Sequence, residues 1–397
     1  MVNYALATEE QKKMVAEVHE ICKRELSFEK VKEYAKANDG KGEYPWAAHH
    51  ALADAGYYSM SLPKAWGGRE LDFVTRGLIM EEISYWDLGF AFSFRGLGEK
   101  FGAIINSHIP EEEKKAWIDR QLNEHIGGCY GLTEPAAGSD ARGIQTTAVY
   151  DKENDEYILN GEKRFITNAT NAVYYNIVAY VKDENGEWVT DAKGRKAQTQ
   201  FLVYPEYEGF VRKPQEEAMG LALCDYAGIE LHDVRVPASH IIGDEGAGFK
   251  ASQALLQGVR PYNVCFAAGA AQRALDTAIE FANNRIAFGK PIIEKQDIGH
   301  GLAELQMKVD CARAFAYYTL KCADLGIVTG REASGAKGMG IKMCVDVCND
   351  LIEMMGGYGY SQEYPVEKIA RDIRGYAIAG GTYNIMKEVV YRTFRKR

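Results

Sequence analysis

The chain has 397 residues, which is too long for one packed core, so we expect about three structural regions. With 46% hydrophobic and 26% charged residues the composition is that of a globular protein, and no apolar run is long enough to cross a membrane. The net charge of −9, without any basic block, argues against a nucleic-acid partner, because phosphate binding relies on clustered lysine and arginine.

The N-terminal residues have neither the basic-then-apolar order of a secretory signal nor the arginine-rich character of a transit peptide, which predicts a cytoplasmic protein. The eight cysteines form no CxxC pair. Closely spaced ligands are needed for zinc, so buried thiols in a reducing compartment are the favoured interpretation and no metal is predicted.

Three regions follow along the chain, and together they predict an α+β fold. Residues 1–126 have helical periodicity that begins after a Thr8 cap, with further helices expected over 45–55, 71–85 and 110–122. Residues 127–240 are rich in β-formers and contain the turn dipeptides Asn160-Gly161 and Asn185-Gly186, which predicts a small antiparallel β domain. Residues 241–397 return to long amphipathic patterns, which predicts a helical bundle.

Three segments carry groups suited to binding a cofactor. The run from Cys129 to Asp140 combines small residues with hydroxyls, so it can hydrogen-bond a heterocycle or a phosphate, although a structural turn is equally compatible with it. Phe165-Ile-Thr-Asn168 follows the predicted hairpin, and an aromatic residue on a strand is more often part of the core. The third segment begins at Arg285, whose planar and always charged guanidinium group can bind a pyrophosphate. A lone arginine at a helix end is, however, usually a surface charge.

Taken together, these segments resemble the acyl-CoA dehydrogenase family. Two further matches, the Gly356-Gly-Tyr-Gly359 segment and the run from Tyr364 to Asp372, extend the resemblance from about residue 10 to residue 392 in the family's order and spacing. The resemblance implies bound FAD, an acyl-CoA substrate, and a homotetramer built as a dimer of dimers. It also implies electron-transfer flavoprotein as the partner that removes electrons, with no membrane insertion.

The resemblance also assigns residues to roles. Contacts to the flavin ring would come from Tyr130, Leu132, Thr133 and Phe165, and the Thr167 hydroxyl would point toward flavin N5. Other FAD contacts, some of them reaching a neighbouring subunit, would come from Arg285, Phe288, Gln296, Glu353, Gly357, Thr382 and Asn384. Contacts to the substrate would come from Ser139, Arg260 and Gly381.

The catalytic base is where this sequence departs from the family. Most members place a glutamate just before a Gly-Thr pair near the C-terminus, and here that position is Gly380. Other members use a position one residue before an arginine on an earlier helix, and here that position is Val259. Gly380 can still offer its backbone N–H to the thioester oxygen, so the oxyanion site is expected to persist without the base.

Asp87 is the best candidate for a relocated base, because by resemblance its helix end and the following turn line the distal acyl pocket. It could equally be a helix-terminal or solvated acid. A remote base suits a cyclic substrate, as in the family subgroup that converts cyclohex-1-ene-1-carboxyl-CoA to a cyclic diene by 1,4-elimination. Four aromatic residues near Asp87 could wall such a ring or belong to the core, namely Trp86, Phe90, Phe92 and Phe94.

Three alternatives remain open from the sequence. Arg95 could pair with Asp87 or Glu99, or contact a substrate carboxylate. The reaction could instead be conventional 1,2-dehydrogenation of a short or branched acyl-CoA, with Tyr376 or a water as base. The chain could also be a flavin- or CoA-ester-binding relative that performs no dehydrogenation.

Overall fold

The computed structural model describes residues 7–37, 42–191, 193–327 and 330–395. The first region is helical, and its opening helix is capped as expected: the Thr8 hydroxyl accepts from the Gln11 backbone, and the Gln11 side chain accepts from Thr8 N. The helices are α1 Glu9–Glu25, α2 Phe28–Lys36, α3 Trp46–Asp54, α4 Phe73–Trp86, α5 Leu88–Gly98, α6 Phe101–Ile105 and α7 Glu111–Glu124.

The sequence predicted a turn after residue 87, but the structure has the helix α5 there. Of its eleven residues, eight are buried, so it has no polar face and no helical periodicity that would have revealed it. It packs between α4, the long helix α8 of the third region (Gly248–Asn284) and the β domain, and this central position brings it to the candidate site.

The second region is a β domain whose main sheet has eight strands. Its strands are β1 Gly128–Gly131, β2 Thr147–Asp151, β3 Glu156–Thr167, β4 Tyr174–Lys182, β5 Gln198–Val203, β6 Phe210–Gln215, β7 Tyr226–Pro237 and β8 Ile241–Ile242. Most neighbours are antiparallel, but β4 is parallel to both β1 and β2, so the sheet is mixed rather than purely antiparallel.

The hairpin predicted at Asn160-Gly161 is wrong, because both residues lie inside β3. The register with β7 shifts between Leu159 and Gly161, and Gly161 has φ +152°. A Cβ there would lie 2.5 Å from the Thr146 hydroxyl, so glycine permits a close approach within a bulge. The Asn185-Gly186 turn is present, with Gly186 at φ +79°.

The third region is the expected helical bundle. It contains α8, then α9 Gln296–Asp324, α10 Gly330–Met355, α11 Gly357–Tyr360, α12 Val366–Ile378 and α13 Tyr383–Arg392, with a small hairpin of β9 Ile286–Ala287 and β10 Lys290–Pro291 after α8. Helices α8, α9 and α10 pack on one another and α8 also packs on α4, so the two helical regions share one core.

Within the described ranges, all eight cysteines are free thiols, and six of them are buried. No helix in the described part of the chain has both the length and the apolar character that crossing a membrane requires.

Candidate active site

The first part of the site is the junction of β1 and β3. Thr133, just beyond β1, accepts a hydrogen bond from Arg164 N at 2.9 Å through its backbone oxygen. Buried Lys163 donates to the Leu132 oxygen at 3.3 Å and pairs with Glu134 at 2.7 Å. These contacts bring the two motifs that the sequence singled out, residues 130–133 and 165–168, side by side.

Tyr130 and Phe165 border this junction differently. The Tyr130 hydroxyl donates to the Ser252 hydroxyl of α8 at 2.6 Å, and burial raises the pKa of Tyr130 to about 12. Phe165 is 54% exposed and lies in the left-handed backbone region at φ +56°. An exposed aromatic side chain on a strained backbone is unfavourable by itself, and this is a frequent signature of a ligand-binding position.

Helix α5 holds the end of β3 against the helical regions. Asn168 donates through Nδ2 to the Ser93 oxygen at 3.0 Å, and the Ser93 hydroxyl bonds its Oδ1. A Cβ on Gly96 would lie 3.5 Å from Thr167 Cγ2 and 2.6 Å from Asn168 Nδ2. Glycine therefore lets α5 approach the strand end at Thr167 directly.

The second part of the site is the turn between α12 and α13, where Gly380 and Gly381 have φ values of +68° and +113°. Lys337 of α10, which is buried, donates to the Gly381 oxygen and, at 3.3 Å, to the Ala377 oxygen. Burial and then nearby Arg260 lower the pKa of Lys337 to about 8. The lysine fixes the turn and with it the direction of the Gly380 N–H.

Tyr376 and Asn263 occupy the neighbourhood of the absent glutamate. A Cβ placed on Gly380 would come within 4 Å only of Asn263 Nδ2, at 3.3 Å, so the position is open. Asn263 Oδ1 accepts from the Tyr376 hydroxyl at 3.0 Å, and the Tyr376 ring meets the Phe92 ring edge-on at 5.0 Å. Burial raises the pKa of Tyr376 well above its ordinary value, so its phenol is neutral.

These contacts place both parts of the site along one face of α5. Phe92 and Gly96 are one turn apart on that helix, so both residues lie on the same face. Phe92 contacts Tyr376 on α12, the helix that precedes the turn at Gly380. Gly96 lies against Thr167 of the β domain. The face of α5 therefore spans the distance between the strand end and the glycine turn.

The earlier base position and its neighbour lie close by on α8. Val259 is partly buried and carries no proton-transferring group. Arg260 is buried and donates to the Ser334 hydroxyl at 3.0 Å, while its Nε has no partner among the described residues. Burial lowers the pKa of Arg260. Its expected contact with substrate remains a prediction.

Asp87 makes contacts that stabilise the fold, and its role as catalytic base stays a prediction. Its Oδ1 accepts from Phe90 N at 2.8 Å and so caps α5, while Oδ2 lies 2.5 Å from Lys368 Nζ on α12. Lys368 also contacts Asp372 at 2.6 Å. Burial alone would lower the pKa of Lys368, but Asp372 and Asp87 together raise it. Both oxygens of Asp87 are therefore engaged in folding contacts.

The aromatic residues near Asp87 also differ in their roles, and most of them belong to the core. Phe90 and Phe94 are fully buried core residues stacked on each other at 5.8 Å, and Trp86 packs edge-on against His19 at 5.2 Å. Of the four candidates for a ring wall, Phe92 is the one that touches the glycine-turn region. The pattern of aromatic residues in the sequence could not separate these roles, because a buried helix presents aromatics in all directions.

The predicted pyrophosphate and adenine residues gather at one end of the helical bundle. The Arg285 guanidinium lies 5.6 Å from the centre of the Tyr358 ring, which places it beside Gly357. Phe288 on the β9–β10 hairpin is 92% exposed at φ +54°. Thr382 instead caps α13 through Ile385 N at 3.4 Å. The remaining candidates, Gln296, Glu353, Asn384 and Ser139, are exposed, and no contact assigns them a role.

Comparison with known proteins decides the family. Models of the acyl-CoA dehydrogenase N-terminal, middle and C-terminal domains match residues 8–124, 129–234 and 246–394. The chain belongs to the acyl-CoA dehydrogenase family. The predicted fold class is thereby confirmed, and the chain is an oxidoreductase that acts on CH–CH groups.

The acyl-CoA dehydrogenase relatives include proteins with different stated activities. The chain is 32% identical to the probable acyl-CoA dehydrogenase YngJ of Bacillus subtilis, with 100% of both chains covered. It is 31% identical to the 3-(aryl)acrylate reductase of Clostridium sporogenes, over 94% of this chain and 97% of the relative. Butyryl-CoA dehydrogenase from Megasphaera elsdenii superposes with a TM-score of 0.88 at 28% identity, over 99% of each chain.

FAD is the cofactor of this acyl-CoA dehydrogenase, and the β1–β3 junction fits it. A flavin ring needs a flat apolar surface with polar groups at its edge. Exposed Phe165, half-buried Leu132 and the hydroxyls of Thr133 and Thr167 offer both at one place. Sequence motifs found this group, but they did not reveal Asn263, Lys337 or Ser93, because these residues act through partners distant in the chain.

Proposed function

We propose that this acyl-CoA dehydrogenase acts on a short, ring-bearing acyl-CoA thioester of the cyclohex-1-ene-1-carboxyl-CoA type, by 1,4-elimination to a cyclic diene. The observation that carries the proposal is the open position at Gly380, where a Cβ would meet only Asn263. A ring can occupy the volume that a glutamate side chain would otherwise fill. Asn263, which borders that volume, accepts a hydrogen bond from the Tyr376 phenol, and the ring of Tyr376 meets that of Phe92 edge-on.

The conjugated substrate explains how the reaction proceeds without a carboxylate at the α carbon. An α,β-unsaturated thioester has no sp³ α hydrogen, so the proton leaves from the γ carbon. Bound FAD would supply the acceptor for the hydride that leaves from the ring carbon on the other side of the α carbon. The Gly380 N–H hydrogen-bonds the thioester oxygen and stabilises the negative charge that develops there. Lys337 supports this by fixing the turn on both sides.

Tyr376 is our candidate for the proton-transfer group, because Asp87 is engaged by Phe90 N and Lys368. The Tyr376 hydroxyl donates a hydrogen bond to Asn263, whose Nδ2 borders the vacated position. Burial raises its pKa, so the phenol accepts a proton only after a costly deprotonation. Oxidation through Tyr376 is therefore expected to be slow at neutral pH.

The same property favours a second candidate function, the reduction of a ring-bearing α,β-unsaturated thioester. The Tyr376 phenol keeps its proton at neutral pH, so it can protonate the α carbon after hydride reaches the β carbon. The 3-(aryl)acrylate reductase relative, whose name denotes reduction of such a conjugated system, supports this direction. The two candidates share the substrate class and differ in the direction of the reaction.

We further propose that the enzyme works as a homotetramer and exchanges electrons with electron-transfer flavoprotein. Exposed Phe288 and Arg285 at the end of the bundle support a contact with the FAD of a neighbouring subunit. An apolar side chain that is 92% exposed is unfavourable in a monomer, and a subunit interface would cover it.

The test is an anaerobic titration of the FAD-loaded enzyme, followed by flavin absorbance and by mass analysis of the product. The oxidised enzyme is mixed with cyclohex-1-ene-1-carboxyl-CoA, cyclohexane-1-carboxyl-CoA and butyryl-CoA. The reduced enzyme is mixed with cyclohex-1-ene-1-carboxyl-CoA and an arylacrylyl-CoA. Bleaching by the cyclohexene thioester with formation of a diene supports the first proposal.

The other outcomes are equally informative. Reoxidation of the reduced enzyme with a saturated product, in the absence of diene formation, supports the second candidate. Bleaching by butyryl-CoA or a branched analogue, and not by the ring compounds, would refute the ring-bearing substrate class and indicate conventional 1,2-dehydrogenation.

A further inference from the structure

The side chain of Asn263 on α8 is a buried amide whose two ends face different neighbours. The residue is 4% exposed, and its Oδ1 accepts a hydrogen bond from the Tyr376 hydroxyl at 3.0 Å. At the other end, Nδ2 forms no hydrogen bond with any residue in the described ranges, and a Cβ on Gly380 would lie 3.3 Å from it. The amide nitrogen therefore faces the position from which the glutamate is missing.

Tyr376 sets the orientation of this amide. Its ring is fully buried and packs on the rings of Phe92 and Phe266, whose centres lie 5.0 Å and 5.6 Å away. The hydroxyl donates to Oδ1, so turning the amide over would break that hydrogen bond. The phenol thus keeps Oδ1 on its own side and Nδ2 toward Gly380.

An amide nitrogen without an acceptor is unusual in a protein interior. Buried polar groups are nearly always hydrogen-bonded, because a donor that has lost water and gained no partner raises the free energy of the folded state. We therefore expect the Nδ2 of Asn263 to meet an acceptor that the folded chain itself does not supply.

The distance between Nδ2 and the Gly380 backbone nitrogen allows one oxygen to accept from both. The backbone nitrogen and the Cβ of a residue are both bonded to Cα and lie about 2.5 Å apart, so Nδ2 is no more than about 5.8 Å from Gly380 N. Donors that share an oxygen each lie about 2.7–3.1 Å from it, and so they can be up to about 6 Å apart.

We propose that Asn263 Nδ2 donates a hydrogen bond to the thioester oxygen of the substrate, as a second protein donor beside the Gly380 N–H. The proposal rests on the proposed function for the position of the thioester oxygen. Negative charge develops on that oxygen when the γ proton leaves in oxidation, or when hydride reaches the β carbon in reduction. The hydrogen bond therefore strengthens in both directions of the reaction, and Asn263 transfers no proton.

A second donor of this kind offsets the absence of a carboxylate base. A general base contributes about 10²- to 10⁴-fold to the rate, and one donor to a developing oxyanion contributes about 10²- to 10³-fold. The two contributions are comparable in size. Stronger stabilisation of the charged oxygen makes the proton easier to remove, so a weaker base suffices.

The experiment measures the hydrogen bonding of the thioester carbonyl directly. Butyryl-CoA and cyclohexane-1-carboxyl-CoA, labelled with ¹³C at the carbonyl, are bound to the FAD-loaded enzyme after its flavin has been reduced. A saturated thioester cannot pass hydride to a reduced flavin, so it binds without reacting. Infrared difference spectra then give the carbonyl stretching frequency, which falls as hydrogen bonds to the oxygen become stronger.

Two variants of Asn263 isolate the donor. Asn263→Leu removes the amide and nearly keeps its volume, and Asn263→Asp removes the Nδ2 donor but keeps an acceptor for the Tyr376 hydroxyl. Both should raise the carbonyl frequency above that of the unmodified enzyme. For Asn263→Leu, flavin bleaching by cyclohex-1-ene-1-carboxyl-CoA, or reoxidation by an arylacrylyl-CoA, should slow about 10²- to 10³-fold, with less than about a tenfold change in thioester affinity.

Gln272→Leu is the matched control, because it also removes a buried amide from α8. Gln272 is 7% exposed, and its Nε2 donates to Asp276 at 2.9 Å and to Gln306 at 3.0 Å. It lies nine residues further along the helix, about 13 Å from Asn263. This variant should leave the carbonyl frequency and the rate unchanged.

An unchanged carbonyl frequency in both Asn263 variants would overturn the inference and indicate that Nδ2 binds a water molecule instead. A change in Asn263→Leu without one in Asn263→Asp would also overturn it, because the effect would then come from displacement of Tyr376. The proposed function fails separately. If both variants raise the frequency but no ring-bearing thioester exchanges electrons with the flavin, the reaction is wrong and the donor role of Asn263 stands.

Discussion

Gly380→Glu should restore a base beside the α carbon and raise 1,2-dehydrogenation of a saturated thioester such as butyryl-CoA. A Cβ there would meet only Asn263 Nδ2, at 3.3 Å, and this amide can shift slightly. Because Gly380 has φ +68°, a non-glycine residue is strained, and we expect a loss of about 1–2 kcal/mol in the free energy of unfolding. That loss is small against a typical stability of about 5–15 kcal/mol, so the variant should fold and retain FAD.

A positioned general base contributes about 10²- to 10⁴-fold to the rate of proton transfer, and this sets the expected gain. Stopped-flow bleaching of the flavin by butyryl-CoA measures it directly. Gly380→Gln is the control, because it carries the same backbone strain and nearly the same volume without a base. If the Glu and Gln variants both bind FAD and bleach at the same rate, Gly380 is not the vacated base position.

Two predictions concern the remaining proton-transfer candidates. Asp87→Asn should lower the free energy of unfolding by about 3 kcal/mol, the lower end for breaking a buried pair, because Lys368 retains Asp372. At temperatures well below the melting temperature of this variant, the substrate should still bleach the flavin. If the variant is folded and loaded with FAD but its flavin is no longer bleached, Asp87 is the catalytic base. Since the pKa of Tyr376 is raised, oxidation should accelerate about tenfold per pH unit from about pH 6 to pH 9, while reduction stays flat. Stopped-flow rates in both directions test this, and a flat oxidative profile, or full activity of Tyr376→Phe, would exclude the tyrosine.

The sequence predicted those parts of the site whose partners are close neighbours in the sheet. Residues 130–133 and 165–168 are each short, local motifs, and the contact between Thr133 and Arg164, next to the second motif, joins them once β1 and β3 lie in the same sheet. The order of helical and β regions was predictable for the same reason, since periodicity is a local property. The irregularity within the sheet was harder to predict from the sequence. A glycine after an asparagine usually indicates a turn, but Gly161 lies at a β-bulge inside β3.

The role of Asp87 could not be read from local sequence, because it is set by a partner 281 residues away. An aspartate between two helical segments is compatible with a cap, a solvated acid or a base, and the Lys368 contact distinguishes them. The same limit applies to Tyr376, whose hydroxyl meets Asn263 across 113 residues. Both residues are polar groups in a helical core, where the hydrogen-bond partner determines the role of a buried polar side chain. Sequence periodicity carries no information about that partner.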